Sequence, residues 1–144
     1  MNTLVVEDFA DFRRFLCTTL QEKTRCVVIG EAANGLEGLK KAEELHPDLV
    51  LLDLGLPKMN GMEVARRLPQ LSPTSKILMM SQDCSVEIVL EAMRLGVRGY
   101  LWKPDVDELS MGVEALVKGS QFVSRRLRHA FPTDQLSANN NGYS

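Results

Sequence analysis

At 144 residues the chain has the length of one domain and can bury a sizeable core. Its 44% hydrophobic and 25% charged content is ordinary for a globular protein, and a net charge of −2 with a pI near 5.7 excludes a general pull toward nucleic acid or anionic membrane. No apolar run approaches the roughly 18 residues of a membrane span. The first residues lack the layout of a signal peptide. Cys17, Cys26 and Cys84 show no metal-ligand spacing and read as free thiols of a reducing, cytoplasmic compartment.

Short apolar runs alternate with stretches of helical period five times. The first strand is expected over about Thr3–Val6, followed by a helix with Phe12, Phe15, Leu16 and Leu20 on one stripe. Cys26–Gly30, β-branched at Val27, Val28 and Ile29, is the second strand. Asn34-Gly35 then reads as a turn or cap before a helix with Leu39, Ala42 and Leu45 spaced for burial, and His46-Pro47 ends it. Asp48–Leu52 is continuously apolar after its first residue, as a strand covered on both faces should be. A loop from Gly55 to Gly61 leads into a third helix reaching about Leu68. Ile77–Met80 is strand four. Val86, Val89, Met93 and Leu90 make the stripe of a fourth helix that Gly96 ends, with Ser81 or Asp83 as its cap. Val97–Trp102 is strand five, and Asp105 can cap a last helix carrying Val106, Leu109, Val113, Leu116 and Val117. Residues 120–144 read as a linker-like tail, basic at Arg125–His129 and partly disordered over the Asn-rich Ser137–Ser144.

Such alternation predicts an α/β fold: a doubly wound parallel five-stranded sheet, flavodoxin-like, in the order 2-1-3-4-5. Four polar sites then meet at the carboxyl edge of the sheet, because each follows a strand: Glu7-Asp8, Asp53, Ser81 and Lys103. Each alone is an ordinary cap or solvated side chain. Together they are not, since like charges about 4 Å apart repel by roughly 4 kcal/mol at an effective dielectric near 20. Gathered carboxylates must take up protons or recruit a cation, and hard oxygen ligands suit Mg2+. The Lys103-Pro104 bond, at a strand end, can be cis and so fix the direction of the lysine.

The set resembles the receiver domain of bacterial two-component response regulators. The resemblance covers about residues 2–119 and rests on Glu7-Asp8, Asp53-Leu54-Gly55-Leu56-Pro57 through Asn60-Gly61, Ser81 and Lys103-Pro104 in order, with steps of 45, 28 and 22 residues from Asp8 to Asp53, Ser81 and Lys103. It implies that residues 1–119 form a phosphoacceptor domain. Asp53 would take a phosphoryl group from a sensor histidine kinase or phosphotransfer protein. Glu7, Asp8, Asp53 and the Gly55 backbone carbonyl would hold Mg2+, and Lys103 would stabilise the phosphoryl oxygens. Ser81 and Tyr100 would act as the switch that alters the face of the fourth helix, fifth strand and fifth helix for a downstream protein partner. The same face is a route to a homodimer, to which Met93, Trp102 and Met111 could contribute. Gln82, where many receivers carry a small residue, and Gly55, smaller than usual, bear on access to the pocket.

The loop Gly55–Gly61 and the segment Leu95–Leu101 resemble the NarL-type branch, whose members are usually helix-turn-helix transcription factors, whereas Pro104 is more typical of other branches. The alternative function is therefore the receiver portion of such a regulator, its DNA-binding domain absent from this chain. No DNA binding is expected from these residues alone. An aspartyl-phosphate phosphatase is disfavoured because Gly55 stands where the general acid belongs. Flavin binding is disfavoured because Glu7-Asp8 replaces a phosphate loop. The expected role is signalling, with no enzymatic activity beyond self-phosphorylation and autodephosphorylation, and no membrane contact.

Overall fold

The computed structural model describes residues 1–130. The chain runs β1 (Asn2–Val6), α1 (Ala10–Lys23), β2 (Val27–Ala32), α2 (Gly35–Leu45), β3 (Leu49–Asp53), α3 (Gly61–Leu71), β4 (Lys76–Ser81), α4 (Val86–Arg94), β5 (Gly99–Trp102), a 3₁₀ segment (Lys103–Glu108), α5 (Leu109–Val117), β6 (Phe122–Val123) and α6 (Arg125–Ala130). All strand pairs are parallel, in the order β2-β1-β3-β4-β5-β6. The doubly wound order of the first five strands is the one expected.

The sheet separates two cores, as the two-residue period of a strand requires. On one side Leu4, Val6, Val50, Leu52, Ile77, Met79 and Tyr100 pack with Leu39, Ala42, Val64, Leu68, Val89 and Met93, the buried positions of α2, α3 and α4. On the other, Val5, Leu49, Leu51, Leu78, Met80 and Leu101 pack with Leu16 and Leu20 of α1 and with Leu109, Val113 and Leu116 of α5. Every residue of β3 is buried, so its unbroken apolar run reflects cover on both faces.

Caps fix where three helices begin. The Asn34, Asn60 and Ser85 side chains accept from the N–H groups of Glu37, Glu63 and Ile88, at 2.9, 3.0 and 3.4 Å. Ser85 thus starts α4, in place of Ser81 or Asp83. The freed Ser81 Oγ instead accepts from the Asp83 N–H at 2.8 Å. Gly61 is required by space: a Cβ there would lie 2.4 Å from the Asp53 carbonyl oxygen.

Several other local expectations differ from the structure. Strand five begins at Gly99, because Val97 accepts the job of closing α4, donating its N–H to the Ala92 carbonyl. Asp105 lies in the 3₁₀ segment and does not cap α5; its carboxylate instead accepts from the Arg126 N–H in the first turn of α6 and pairs with the Arg126 side chain. The Lys103-Pro104 bond is trans, since no cis peptide occurs among the described residues. Phe15, Leu45 and Val117 are exposed, and Leu90 is half-buried while Ala92 takes its place in the core.

The largest difference is at the carboxyl end. Residues 120–130, read from sequence as linker-like, carry β6 and α6, so the sheet has six strands. Phe122, Val123, Ser124 and Leu127 are all buried there. The Asn-rich Ser137–Ser144 lies outside the described residues.

Candidate functional site

β1, β3, β4 and β5 end side by side, and their register delivers the four polar sites to one place. One carboxylate oxygen each from Glu7, Asp8 and Asp53 falls within 4.8 Å of the others. Glu7 and Asp53 are buried and Asp8 is exposed. Lys103 reaches across from the end of β5, its Nζ 3.0 Å from Glu7 Oε1 and 3.2 Å from Asp53 Oδ1. The sequence brought these four residues together, and so does the chain in space.

Charge and burial oppose each other here. Burial raises Asp53 above the usual carboxylate range, the Asp8 charge adds to this, and Lys103 together with the Gly55 N–H pulls it back. Burial likewise raises Glu7, against the Phe9 N–H, which donates to Glu7 Oε2 at 3.0 Å, and against Lys103. Burial works against the Lys103 charge, but Glu7 and Asp53 outweigh it and hold the ammonium above its ordinary value. Three carboxylates facing one ammonium leave an excess of negative charge among hard oxygen donors. That donor set fits Mg2+.

Ser81 is buried at the end of β4, its oxygen engaged by the Asp83 N–H. Tyr100 is fully buried, and its hydroxyl donates to the Asp83 carbonyl at 2.8 Å. Burial pushes its phenol up to about 12. Ser81 and Tyr100 are thus tied to the same residue of the β4–α4 loop. Gly55 is open, with no atom within 4 Å of where a Cβ would stand. Gln82 is exposed and lines, with Phe9, Phe12, Lys103 and Pro104, a cavity of about 410 Å3 beside the carboxylates.

Sequence reasoning missed the supports around this cluster. Arg13 donates to the Glu7 carbonyl at 2.7 Å and pairs with Glu31 at 3.1 Å, anchoring the first turn of α1. Phe12, expected only as core, lies against Lys103, whose Nζ is 5.0 Å from the ring centroid. Trp102 donates its indole N–H to the Gln82 carbonyl at 3.1 Å. The one available signal was Phe9 and Phe12 standing one and four residues past Asp8, at the mouth of the site.

Residues 3–114 match the family model of the response regulator receiver domain. The chain belongs to that family. Among curated relatives, the receiver is 36% identical to the chemotaxis protein CheY of Thermotoga maritima, over 82% of this chain and 96% of that protein. It is 33% identical to the nitrate/nitrite response regulator NarL of Escherichia coli, over 86% of this chain but 58% of that protein. Among solved structures, a LuxR-family two-component response regulator from Aurantimonas superposes with a TM-score of 0.84 at 27% identity, covering 89% of this chain and 92% of that one. The receiver is a signalling phosphoacceptor module of two-component systems, and family members bind Mg2+ at an acidic pocket and meet histidine kinases or phosphotransfer proteins. No helix among its described residues is long and apolar enough to cross a membrane.

Proposed function

We propose that Asp53 is the phosphoacceptor of this receiver and that Glu7, Asp8, Asp53 and the Gly55 backbone carbonyl hold Mg2+ beside it. The observation that carries the reading is the single ammonium of Lys103 set between Glu7 and Asp53, with Asp8 completing a three-carboxylate group. An Asp53 carboxylate oxygen attacks the phosphorus of a phosphohistidine on a sensor kinase or phosphotransfer protein. The P–N bond breaks, its electron pair stays on the imidazole nitrogen, and an acyl phosphate forms. Bound Mg2+ supplies positive charge against the transferring oxygens. Lys103 leaves Glu7 for the new phosphoryl group, a charge-assisted contact of the kind worth about 1.5–3 kcal/mol. Ser81 turns its hydroxyl to another phosphoryl oxygen and gives up the Asp83 N–H. Tyr100, bonded to the same residue, registers the change.

The two-state switch so biased would govern the face of α4, β5 and α5 for a downstream protein. A homodimer across that face would draw on exposed Met111 and half-buried Trp102, because Met93 is only 2% exposed and belongs to the core. Water attack on the acyl phosphate resets the switch, and a cytoplasmic setting suits the chemistry of the donor. That the chain is the receiver portion of a helix-turn-helix regulator is a second reading: it spans 58% of the NarL relative, against 96% of the CheY relative.

Intact mass after incubation with acetyl phosphate tests the assignment. A gain of one phosphoryl group that needs Mg2+ and vanishes in Asp53→Ala is the expected result. An Mg2+-dependent gain that survives in Asp53→Ala would overturn it.

A further inference from the structure

β5 is not left as a free edge. Phe122 and Val123 pair with it in parallel, the Phe122 N–H donates to the Arg98 carbonyl at 3.0 Å, and the Ser124 N–H donates to the Tyr100 carbonyl at 3.1 Å. The Ser124 hydroxyl in turn accepts from the Trp102 N–H at 3.1 Å. Beyond β6, two buried carboxylates of the 3₁₀ segment are committed to this stretch of chain. Both Glu108 oxygens accept from the Arg125 N–H, at 3.1 and 3.2 Å, and Asp105 accepts from the Arg126 N–H at 3.3 Å and pairs with its Nε at 3.1 Å.

The seat is shaped for its occupant. Phe122 packs where α5 carries Gly112, and a Cβ on that glycine would come within 3.0 Å of two ring atoms. On the opposite side Val123 and Leu127 enter the core cluster that holds Tyr100 and Met93, and Leu127 is only 2% exposed. Arg126 lies 5.8 Å above the Trp102 ring.

Two routes join this strap to the acidic site. Ser81 and the Tyr100 hydroxyl both bond Asp83, and Tyr100 carries the strap on its carbonyl and in its core cluster. The Trp102 indole holds the Gln82 carbonyl in the same loop, while its ring faces Arg126.

We propose that residues 122–128 are a ligand, in cis, of the surface built by β5, the 3₁₀ segment and α5, and that phosphorylation at Asp53 loosens them. This rests on the phosphoacceptor reading above. The sign follows from the hydrogen bonds. A Ser81 hydroxyl drawn to a phosphoryl oxygen releases the Asp83 N–H, and the loop carbonyls that anchor Tyr100 and Trp102 shift with it. Both anchors of the strap are thereby disturbed at once. The first reader of the switch is then a segment of this chain, and any second protein on this face acts after it.

Trypsin reports the state of the strap, because Arg125, Arg126 and Arg128 lie within it. Cleavage at these sites is followed by mass spectrometry on the full chain with Mg2+ alone and with Mg2+ plus beryllofluoride, alongside intact mass after acetyl phosphate. Coupling of ordinary allosteric size predicts cleavage about five-fold faster or more with beryllofluoride. No such acceleration should occur in Asp53→Ala. Leu127→Ala, remote from the acidic site, should raise cleavage without any phosphoryl group and shrink the further rise. Unchanged or slower strap cleavage in a chain that does gain phosphoryl mass overturns the coupling alone. Absence of the mass gain removes the phosphoacceptor reading and the coupling with it.

Discussion

Replacing Lys103 by methionine tests whether its ammonium and Mg2+ serve the same carboxylates. The substitution keeps a linear apolar stem and removes the one cation between Glu7 and Asp53, whose side chains are 1% and 5% exposed. Breaking a buried ion pair by removing one partner costs about 3–5 kcal/mol. Lys103 is itself 17% exposed beside an open cavity, so solvent screening lowers the expected loss to roughly 1.5–3 kcal/mol in metal-free protein. At a urea dependence of about 1–3 kcal/mol/M, the unfolding midpoint falls by about 1 M. Mg2+ should then rescue the variant more than it stabilises the wild type, because it no longer competes with a nearby like charge. Screened to about 1–2 kcal/mol, that relief corresponds to roughly 5–30-fold tighter Mg2+ binding. Urea unfolding followed by the fluorescence of Trp102, the chain's single tryptophan, measures both quantities in EDTA and in MgCl2. An equal Mg2+ increment in the two proteins, or a variant no less stable without metal, would refute the reasoning.

Further predictions concern the surroundings of the site. Tyr100, with its phenol pushed up to about 12, favours the folded state fully below pH 10; that contribution, about 3 kcal/mol, is lost as pH rises from 10 to 12, because the unfolded chain ionises first. Absorbance titration of Tyr143→Phe, which leaves one tyrosine, checks it, and an ionisation near pH 10 in folded protein would contradict it. Gly61→Ala should lose about 1–3 kcal/mol or more in thermal or urea unfolding and slow phosphorylation, since the added methyl meets the Asp53 backbone at 2.4 Å. With iodoacetamide, exposed Cys84 should label first. Cys17, raised by burial to about 11, has a thiolate fraction roughly two orders of magnitude below that of a free cysteine and should label slowly.

The architecture was legible because the signals were redundant. β3 reads as buried from Leu49 to Leu52 without help, and Asn34 announces the helix it caps. The acidic cluster was legible for a topological reason: each member ends a strand, so knowing the sheet order locates all of them. What escaped was whatever depends on a partner distant in sequence. Asp105 looks like the cap of α5 until Arg126 and the start of α6 are placed beside it. Phe12 looks like core until Lys103, 91 residues later, crosses over it. Two-residue β6 has no periodicity to detect, and the basic run that follows hides Leu127, the one apolar residue in Arg125–His129 and the one that matters for packing.

The pairing of β6 with β5 also bears on where this protein can be cut. A boundary at Gly119, natural from the sequence, would strip β5 and leave the carbonyls of Arg98 and Tyr100 and the N–H of Trp102 unpaired beside the uncovered apolar surface of Leu101 and Tyr100. Bare strands of that kind template sticking between molecules. A receiver ending at residue 130 keeps its outer rim closed, whereas one ending at 119 should precipitate or stack through β5, and such behaviour would reflect the missing eleven residues rather than any assembly native to the switch.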